Sequence, residues 1–252
     1  MRPNCCLKSR AVLSNLWQTS AMTEGVRARR RDDVTRRVLE IGRQHLVEYG
    51  AAALSLRAVT RDLGMVSSAV YRYVASRDEL LTLLVVDAYT ELGDAVDARL
   101  AELPRASWDA RTLAVCVTVR EWALREPARY ALLYGSPVPG YEAPGEQTTE
   151  PGTRVIRTLV ALVAEGVRDG DVVDGVTDVP MPRALRTDLA RVHDELGVEI
   201  DPAVVGRAVM VWSVLFGAVS LEVFGQYGTD TFTQPAALFE HQIRLALATL
   251  RG

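Results

Sequence analysis

Cysteine and histidine are too few and too scattered in this sequence to build a site. Cys5, Cys6 and Cys116 form no ligand-spaced set, and His45, His193 and His241 stand far apart, which excludes a disulfide framework and the usual metal spacings. Also missing are a nucleophile with its base, paired carboxylates in a recognisable arrangement and a phosphate-cradling glycine loop, so no enzyme class is indicated. The acidic run Asp169, Asp171, Asp174 and Asp178 lies beside glycines but lacks the glutamate and spacing of a calcium loop, and it reads as a solvated turn. No cofactor is expected. The longest mostly apolar run, Ala208 to Leu221, is too short to cross a bilayer and follows Arg207, and the first twenty residues carry no continuous apolar signal region. A cytoplasmic chain without a membrane partner is the expectation.

Strand-type alternation is absent too, as is any internal repeat. The 252 residues are nevertheless 48% apolar, with only 6% aromatic, which is enough to bury a sizeable core. From Asp32 the apolar residues Val34, Val38, Ile41, Leu46 and Tyr49 recur on one helical face until Gly50 supplies a stop. Two short segments, Leu56 to Leu63 and Ser67 to Tyr73, flank a break at Gly64, and a long periodic stretch runs from Arg77 to Leu100. Further helices are expected at Trp108 to Arg125, Pro127 to Tyr134, Thr153 to Asp169, Arg183 to Leu196, Pro202 to Phe224 and Pro235 to Leu250. Between them Ser136 to Gly152, with four prolines and three glycines, reads as a loop. The fold class is therefore all-α, with about nine to ten helices.

Charge is divided unevenly. Residues 1–77 hold 14 Lys+Arg against 6 Asp+Glu, a net of +8, whereas the remainder holds 15 against 26, a net of -11. A basic head on an acidic body suits a nucleic-acid partner, because phosphate neutralisation supplies most non-specific affinity and an acidic body is repelled by DNA. Residues 1–21 show no helical or strand period and contain the sole lysine, Lys8. Met22, followed by Thr-Glu-Gly and a basic run, is a second candidate start, and residues 1–30 read as a flexible extension.

The pair of short helices around Gly64 has the form of a helix-turn-helix, in which a tight turn holds the second helix away from the body so that its first residues enter a major groove. Val59 and Leu63 are expected to face inwards, Val66 and Val70 to close the small core, and Gly64 to take positive φ. Ser55 and Ser67 are suitable N-caps that leave backbone N–H groups for phosphate oxygens. Small Ser68 and Ala69 let the second helix sit deep against base edges or a thymine methyl, while Tyr71, Arg72 and Tyr73 can reach phosphates or, for Arg72, a guanine. Arg57, at the opening of the first short helix, joins this candidate DNA surface. An ordinary helical hairpin with Tyr71 and Tyr73 in its core is the competing reading, and the charge division weighs against it.

Arg57 to Leu81, with Gly64, Tyr71-Arg72-Tyr73 and Ser76-Arg77-Asp78-Glu79-Leu80-Leu81, resembles the DNA-binding segment of the TetR/AcrR family, over residues 31 to 84. The resemblance implies phosphate contacts from Tyr71, Tyr73 and Arg77, and base contacts from Ser67, Ser68, Ala69 and Arg72. Thr60 stands where that family usually has alanine and Val74 where an aromatic is usual. A threonine can bond back to its own helix and valine stays apolar, so the fold tolerates both. The helix-turn-helix domain is assigned to residues 31–77 and a helical ligand-binding and dimerisation domain to residues 78–252. In the latter, Trp122 to Gly135 followed by Val211 to Gly217 resembles a subgroup of these regulators with a Trp/Phe-Gly helix.

Pro202 to Phe224 is apolar on almost every face and needs a second apolar partner, for which a symmetric copy is the economical answer. A homodimer is expected, with Pro235 to Leu250 as the other interface helix. Trp122, Tyr130, Tyr134, Trp212 and Phe216 sit among small and β-branched residues, so a mostly apolar pocket with hydroxyl handles is feasible there for a small apolar or aromatic effector. The function implied is a ligand-responsive, sequence-specific regulator, most simply a repressor released from a palindromic operator in double-stranded DNA. Its rivals are a DNA-binding helical dimer without a ligand and, more remotely, a helical enzyme; no residue separates repressor from activator.

Overall fold

The computed structural model describes residues 31–174, 179–196 and 200–251, and among them every regular element is helical. The expected extension over residues 1–30, including Cys5, Cys6 and Lys8, lies outside the described residues, as do Asp178 and the side chain of His193. The chain divides into two compact units between Leu84 and Val85.

The first unit opens with helix α1, residues 31–49, which ends where Gly50 takes φ 75. A single 3-10 turn, Ala51–Ala53, leads to α2 (Leu56–Asp62), α3 (Ser67–Val70) and the first turns of α4 (Arg77–Ala101). Val34, Val38 and Leu46 are buried as expected, but Tyr49 is 53% exposed. The inward position of that last turn is occupied by His45, whose Nε2 donates to Asp62 Oδ2 at 2.8 Å, tying α1 to α2. Tyr49 stands edge-on to the imidazole instead, at 5.4 Å.

The second unit contains the rest of α4 with α5 (Trp108–Arg125), α6 (Pro127–Tyr134), α7 (Gly145–Asp169), α8 (Arg183–Leu196), α9 (Pro202–Val223) and α10 (Pro235–Arg251). Leu92, Val96, Val119, Trp122, Tyr130, Val204, Leu215, Ile243 and Leu250 form the centre of its core. Complete burial of one such side chain contributes about 1.5–3 kcal/mol, so the core rather than helix propensity holds the bundle together.

One boundary differs from the sequence reading. Helix α7 starts at Gly145, eight residues before the expected Thr153, and carries Pro151 inside it. Proline lacks the N–H of the intrahelical bond and usually marks a helix end. Here Pro151 is buried, and Gly152 brings α7 close against the Tyr89 ring of α4, so packing overrides the local signal. Helix α9 has the expected bounds within one residue, but its 22 residues exceed the apolar run Ala208 to Leu221, and by length and composition alone it is long enough to cross a membrane. It is instead packed against α5, α7, α8 and α10.

Candidate nucleic-acid interface and aromatic cluster

The turn between α2 and α3 is built as the sequence implied. Ser55 caps α2, its hydroxyl accepting from the Ala58 N–H at 3.4 Å. The Thr60 hydroxyl bonds back to the Leu56 carbonyl at 2.7 Å. Gly64 takes φ 68 with open space where a Cβ would stand, so the conformation and not crowding demands glycine. Val59, Leu63 and Val70 are buried beneath it.

Two expectations about this turn need correction. Val66 is 73% exposed, and Val74, at 0%, closes the small core in its place. Since Val66 precedes the first turn of α3, its side chain stands outside the interhelical wedge, whereas Val74 follows directly beneath Val70, with its N–H on the Val70 carbonyl at 3.0 Å. Helix α3 begins at Ser67 itself, which makes Ser67 the first helical residue and not the cap. The α-helical geometry stops at Val70, and residues 71–73 continue as hydrogen-bonded turns, Tyr73 N–H reaching the Val70 carbonyl at 2.8 Å.

On the outer side of α2 and α3, Arg57 and Arg72 are exposed, Tyr71 is 41% exposed, and Ala69 and Tyr73 are half-buried. Among the described residues neither Arg57 nor Arg72 has a carboxylate partner, so their charge is directed to solvent. The side chains of Ser67 and Ser68 lie outside the described residues. Arg77 behaves differently. Its Nε donates to the Leu54 carbonyl at 3.0 Å, and its Nη2 to the carbonyls of Ala52 at 3.1 Å and Ala51 at 3.2 Å. The start of α4 is thereby clamped onto the turn that leads into α2, and Arg77 is foremost a positioning residue for this hairpin.

A capping box completes that clamp. The Ser76 hydroxyl accepts from the Glu79 N–H at 3.0 Å, and the Glu79 carboxylate accepts from the Ala75 N–H at 2.6 Å. The Ser-x-x-Glu spacing ahead of an apolar run was a readable signal for it.

In the second unit the structure gathers four of the five candidate effector residues. Tyr130 and Tyr134 lie 5.1 Å apart, Tyr134 and Phe216 4.4 Å, and Phe216 and Trp212 4.2 Å between ring centres. Tyr89 and Phe224 extend the cluster. Tyr130 is fully buried, with its hydroxyl 2.8 Å from that of Ser220, whereas Tyr134, Trp212 and Phe216 are half-buried. Burial raises the pKa of the Tyr134 phenol, which stays neutral. Trp122 makes none of these ring contacts; its indole N–H donates to Glu91 Oε1 at 3.1 Å and its ring lies under the Arg129 guanidinium.

Residues 112–246 match the family described as "Tetracyclin repressor-like, C-terminal domain". The chain belongs to the TetR family of transcriptional regulators. It is 47% identical over 226 residues, 90% of its length, to the HTH-type transcriptional regulators Rv1816 of Mycobacterium tuberculosis (strain ATCC 25618 / H37Rv) and Mb1846 of Mycobacterium bovis, covering 96% of each. The crystal structure of regulatory protein SCO4313 superposes with a TM-score of 0.70 at 32% identity, covering 88% of this chain and 98% of that one. A tetR-family regulatory protein from Rhodococcus RHA1, at 14% identity and a TM-score of 0.58 over 86% of this chain and 96% of that one, shares the fold. These relatives are regulators and not enzymes.

The ion cluster around Arg129 is the feature of this TetR-family chain that its sequence did not announce. Arg129, on α6, is 3% exposed at its side chain and contacts Asp87 Oδ2 at 2.9 Å and Glu91 Oε2 at 2.6 Å, both on α4. Helix α6 is thus fixed to α4 at one end by this cluster and at the other by the edge-on pair Tyr134–Tyr89. A second clasp joins α7 to α4, where Arg154 meets Asp94 at 2.7 Å and Asp97 at 2.5 Å. No sequence motif marks either pairing, since the partners are about 40 and 60 residues apart.

Proposed function

We propose that this regulator is a homodimeric, ligand-responsive repressor that binds a two-fold symmetric operator through α2 and α3 and acts in the cytoplasm. The observation that carries the reading is the exposed face of Tyr71 and Arg72 beside Arg57, with half-buried Ala69 between them and the Gly64 turn, on a basic segment. Ser67, Ser68 and Ala69 approach base edges, Arg72 reads a guanine or holds a phosphate, and Tyr71, Tyr73, Ser55 and Arg57 meet the backbone. Arg77 serves this surface by holding the hairpin in register, and any phosphate contact it makes is secondary to that.

Dimerisation is assigned to α9 and α10. Ser213, Gly217, Leu221 and Phe224 recur at three- and four-residue spacing on the exposed side of α9, and Leu245 stands exposed on α10. A face of this kind is self-complementary under two-fold symmetry, and a two-fold dimer matches operator half-sites about 34–36 Å apart, one turn of B-DNA.

The effector, a small apolar or aromatic molecule, is assigned to the wall formed by Tyr134, Trp212 and Phe216. Tyr130 stands behind this wall against Tyr134, and Trp122 supports α6 from beneath the Arg129 guanidinium. Displacing Tyr134 would disturb α6 and, through Arg129, the Asp87 and Glu91 turns of α4, the helix whose first residue is Arg77. The test is enrichment of random duplex DNA by the purified protein, followed by binding of the selected sequence across a salt series. A two-fold symmetric site with a steep salt dependence is expected; enrichment of no sequence would overturn the operator-binding reading.

A further inference from the structure

We infer that a cleft between α8 and α9, separate from the aromatic cluster, is a binding site for a compact, neutral, apolar molecule. The cleft encloses about 500 Å³, within the range of about 300–1,000 Å³ that accommodates small ligands. Leu185 and Leu189 of α8 form one wall, Gly206 and Met210 of α9 the other, and Met181 closes one end. At its floor Arg207 donates to the backbone carbonyls of Thr249 at 3.1 Å and Val173 at 2.6 Å, so the guanidinium is directed into the protein. A site with so little polar surface selects a ligand by shape and apolar area, and two methionines give it adaptable walls.

Gly206 is the second observation. It lies inside α9, where glycine is less stable than alanine because the unfolded backbone has more freedom to lose. Its φ is ordinary, so no left-handed conformation requires it. A Cβ there would meet Leu189 Cδ1 at 3.4 Å and Met181 Cε at 3.6 Å, ordinary contact distances, so close packing does not require glycine either. What the missing side chain provides is depth on the α9 side of the cleft.

The probe is N-phenyl-1-naphthylamine, a neutral apolar fluorophore, titrated into the full-length protein without DNA, so that the result is independent of operator binding. Saturable binding is expected, with one molecule per chain in the cleft beside any held at the aromatic wall assigned to the effector. Gly206→Leu, which fills the cleft from α9, and Leu185→Trp, which fills it from the exposed rim of α8, should each weaken binding by about tenfold or more, the scale on which several lost apolar contacts are felt. Phe216→Ala, in the wall assigned to the effector, should leave the cleft component unchanged. Affinity unaltered in Leu185→Trp, whose rim position leaves folding intact, would overturn the site, as would loss of binding in Phe216→Ala alone. Binding seen only when sedimentation shows monomer would also overturn it, by showing the cleft to be covered by a second copy of the chain.

Discussion

Arg129→Met removes the positive centre to which Asp87 and Glu91 are fixed. The wild-type guanidinium meets the two carboxylates at 2.9 and 2.6 Å and the Asp87 carbonyl at 3.3 Å. Stranding one partner of a fully buried pair costs about 3–5 kcal/mol. Here the stranded carboxylates retain some water, with Asp87 16% and Glu91 38% exposed. That draws the cost towards the roughly 1.5–3 kcal/mol of hydrogen bonds to a charged group. Methionine also keeps most of the apolar stem against Trp122. The expected net loss is about 2–4 kcal/mol, a fall in Tm of about 5–15 °C for a helical protein of this size. Thermal unfolding followed by far-UV circular dichroism measures it, with Arg129→Lys as an intermediate case because an ammonium cannot span both carboxylates in one plane. A midpoint unchanged within about 1 °C in Arg129→Met would refute the claim that this cluster fixes α6 to α4.

Arg72→Ala should leave the melting curve within about 0.5 kcal/mol of wild type while lowering operator affinity, by about 1–3 kcal/mol at a single base pair if it reads a base and uniformly if it holds a phosphate. Arg77→Ala should do the reverse in stability, costing about 1–3 kcal/mol because three carbonyls lose a charged donor, and gel-shift and melting data on the two variants separate the roles. Gly166→Ala sets a Cβ 2.7 Å from Trp108 Nε1 and from Val172 Cγ2, against the indole that donates to the Leu162 carbonyl at 2.8 Å, so overpacking should destabilise by about 1–3 kcal/mol in a urea titration. Hydrogen bonds, first from His45 and then from Arg61, hold the Asp62 carboxyl below its ordinary value. A lowered folded-state pKa stabilises above the unfolded value near ~3.9, and that contribution is lost as pH falls through the folded value, so the stability difference between wild type and Asp62→Asn should shrink from about pH 4 downwards and vanish only below the folded value. A difference that does not shrink as pH falls would place the effect elsewhere than in the His45–Asp62 bond.

Legibility in the sequence followed the range of each interaction. Local signals carried far: Gly50, Gly64 and the Ser55 cap sit where the spacing put them, and the bounds of α5 and α6 follow from Trp108, Arg125, Pro127 and Tyr134. The reading failed where a long-range contact outweighed a local preference. Pro151 and Gly152 read as loop because nothing near them in the chain shows that Tyr89 awaits α7. Val66 and Val74 are equally apolar, and only the path of the chain after α3 decides which one is covered. The resemblance implied a phosphate contact for Arg77, and its structural partners were not legible beside that role. The three carbonyls it binds belong to residues 23 to 26 positions earlier, beyond any helical spacing. The aromatics divided for a similar reason: Tyr130, Tyr134, Trp212 and Phe216 converge from α6 and α9, while Trp122 is claimed by Glu91 and Arg129.

Magnitudes constrain how an effector could use this architecture. Driving a two-state regulator from 1:99 to 99:1 requires about 5.5 kcal/mol of preference for the released state. The Arg129 cluster, at about 2–4 kcal/mol, is too small to supply this in one chain, even if an effector broke it completely. In the proposed homodimer two clusters change together, and about 4–8 kcal/mol then brackets the requirement, provided the two chains switch as a unit. A monomeric regulator built on the same contacts would respond only partially. The exposed side of α9 would then serve two ends, since the symmetry that spaces the reading heads on DNA also doubles the energy that an effector can direct through α6 into α4.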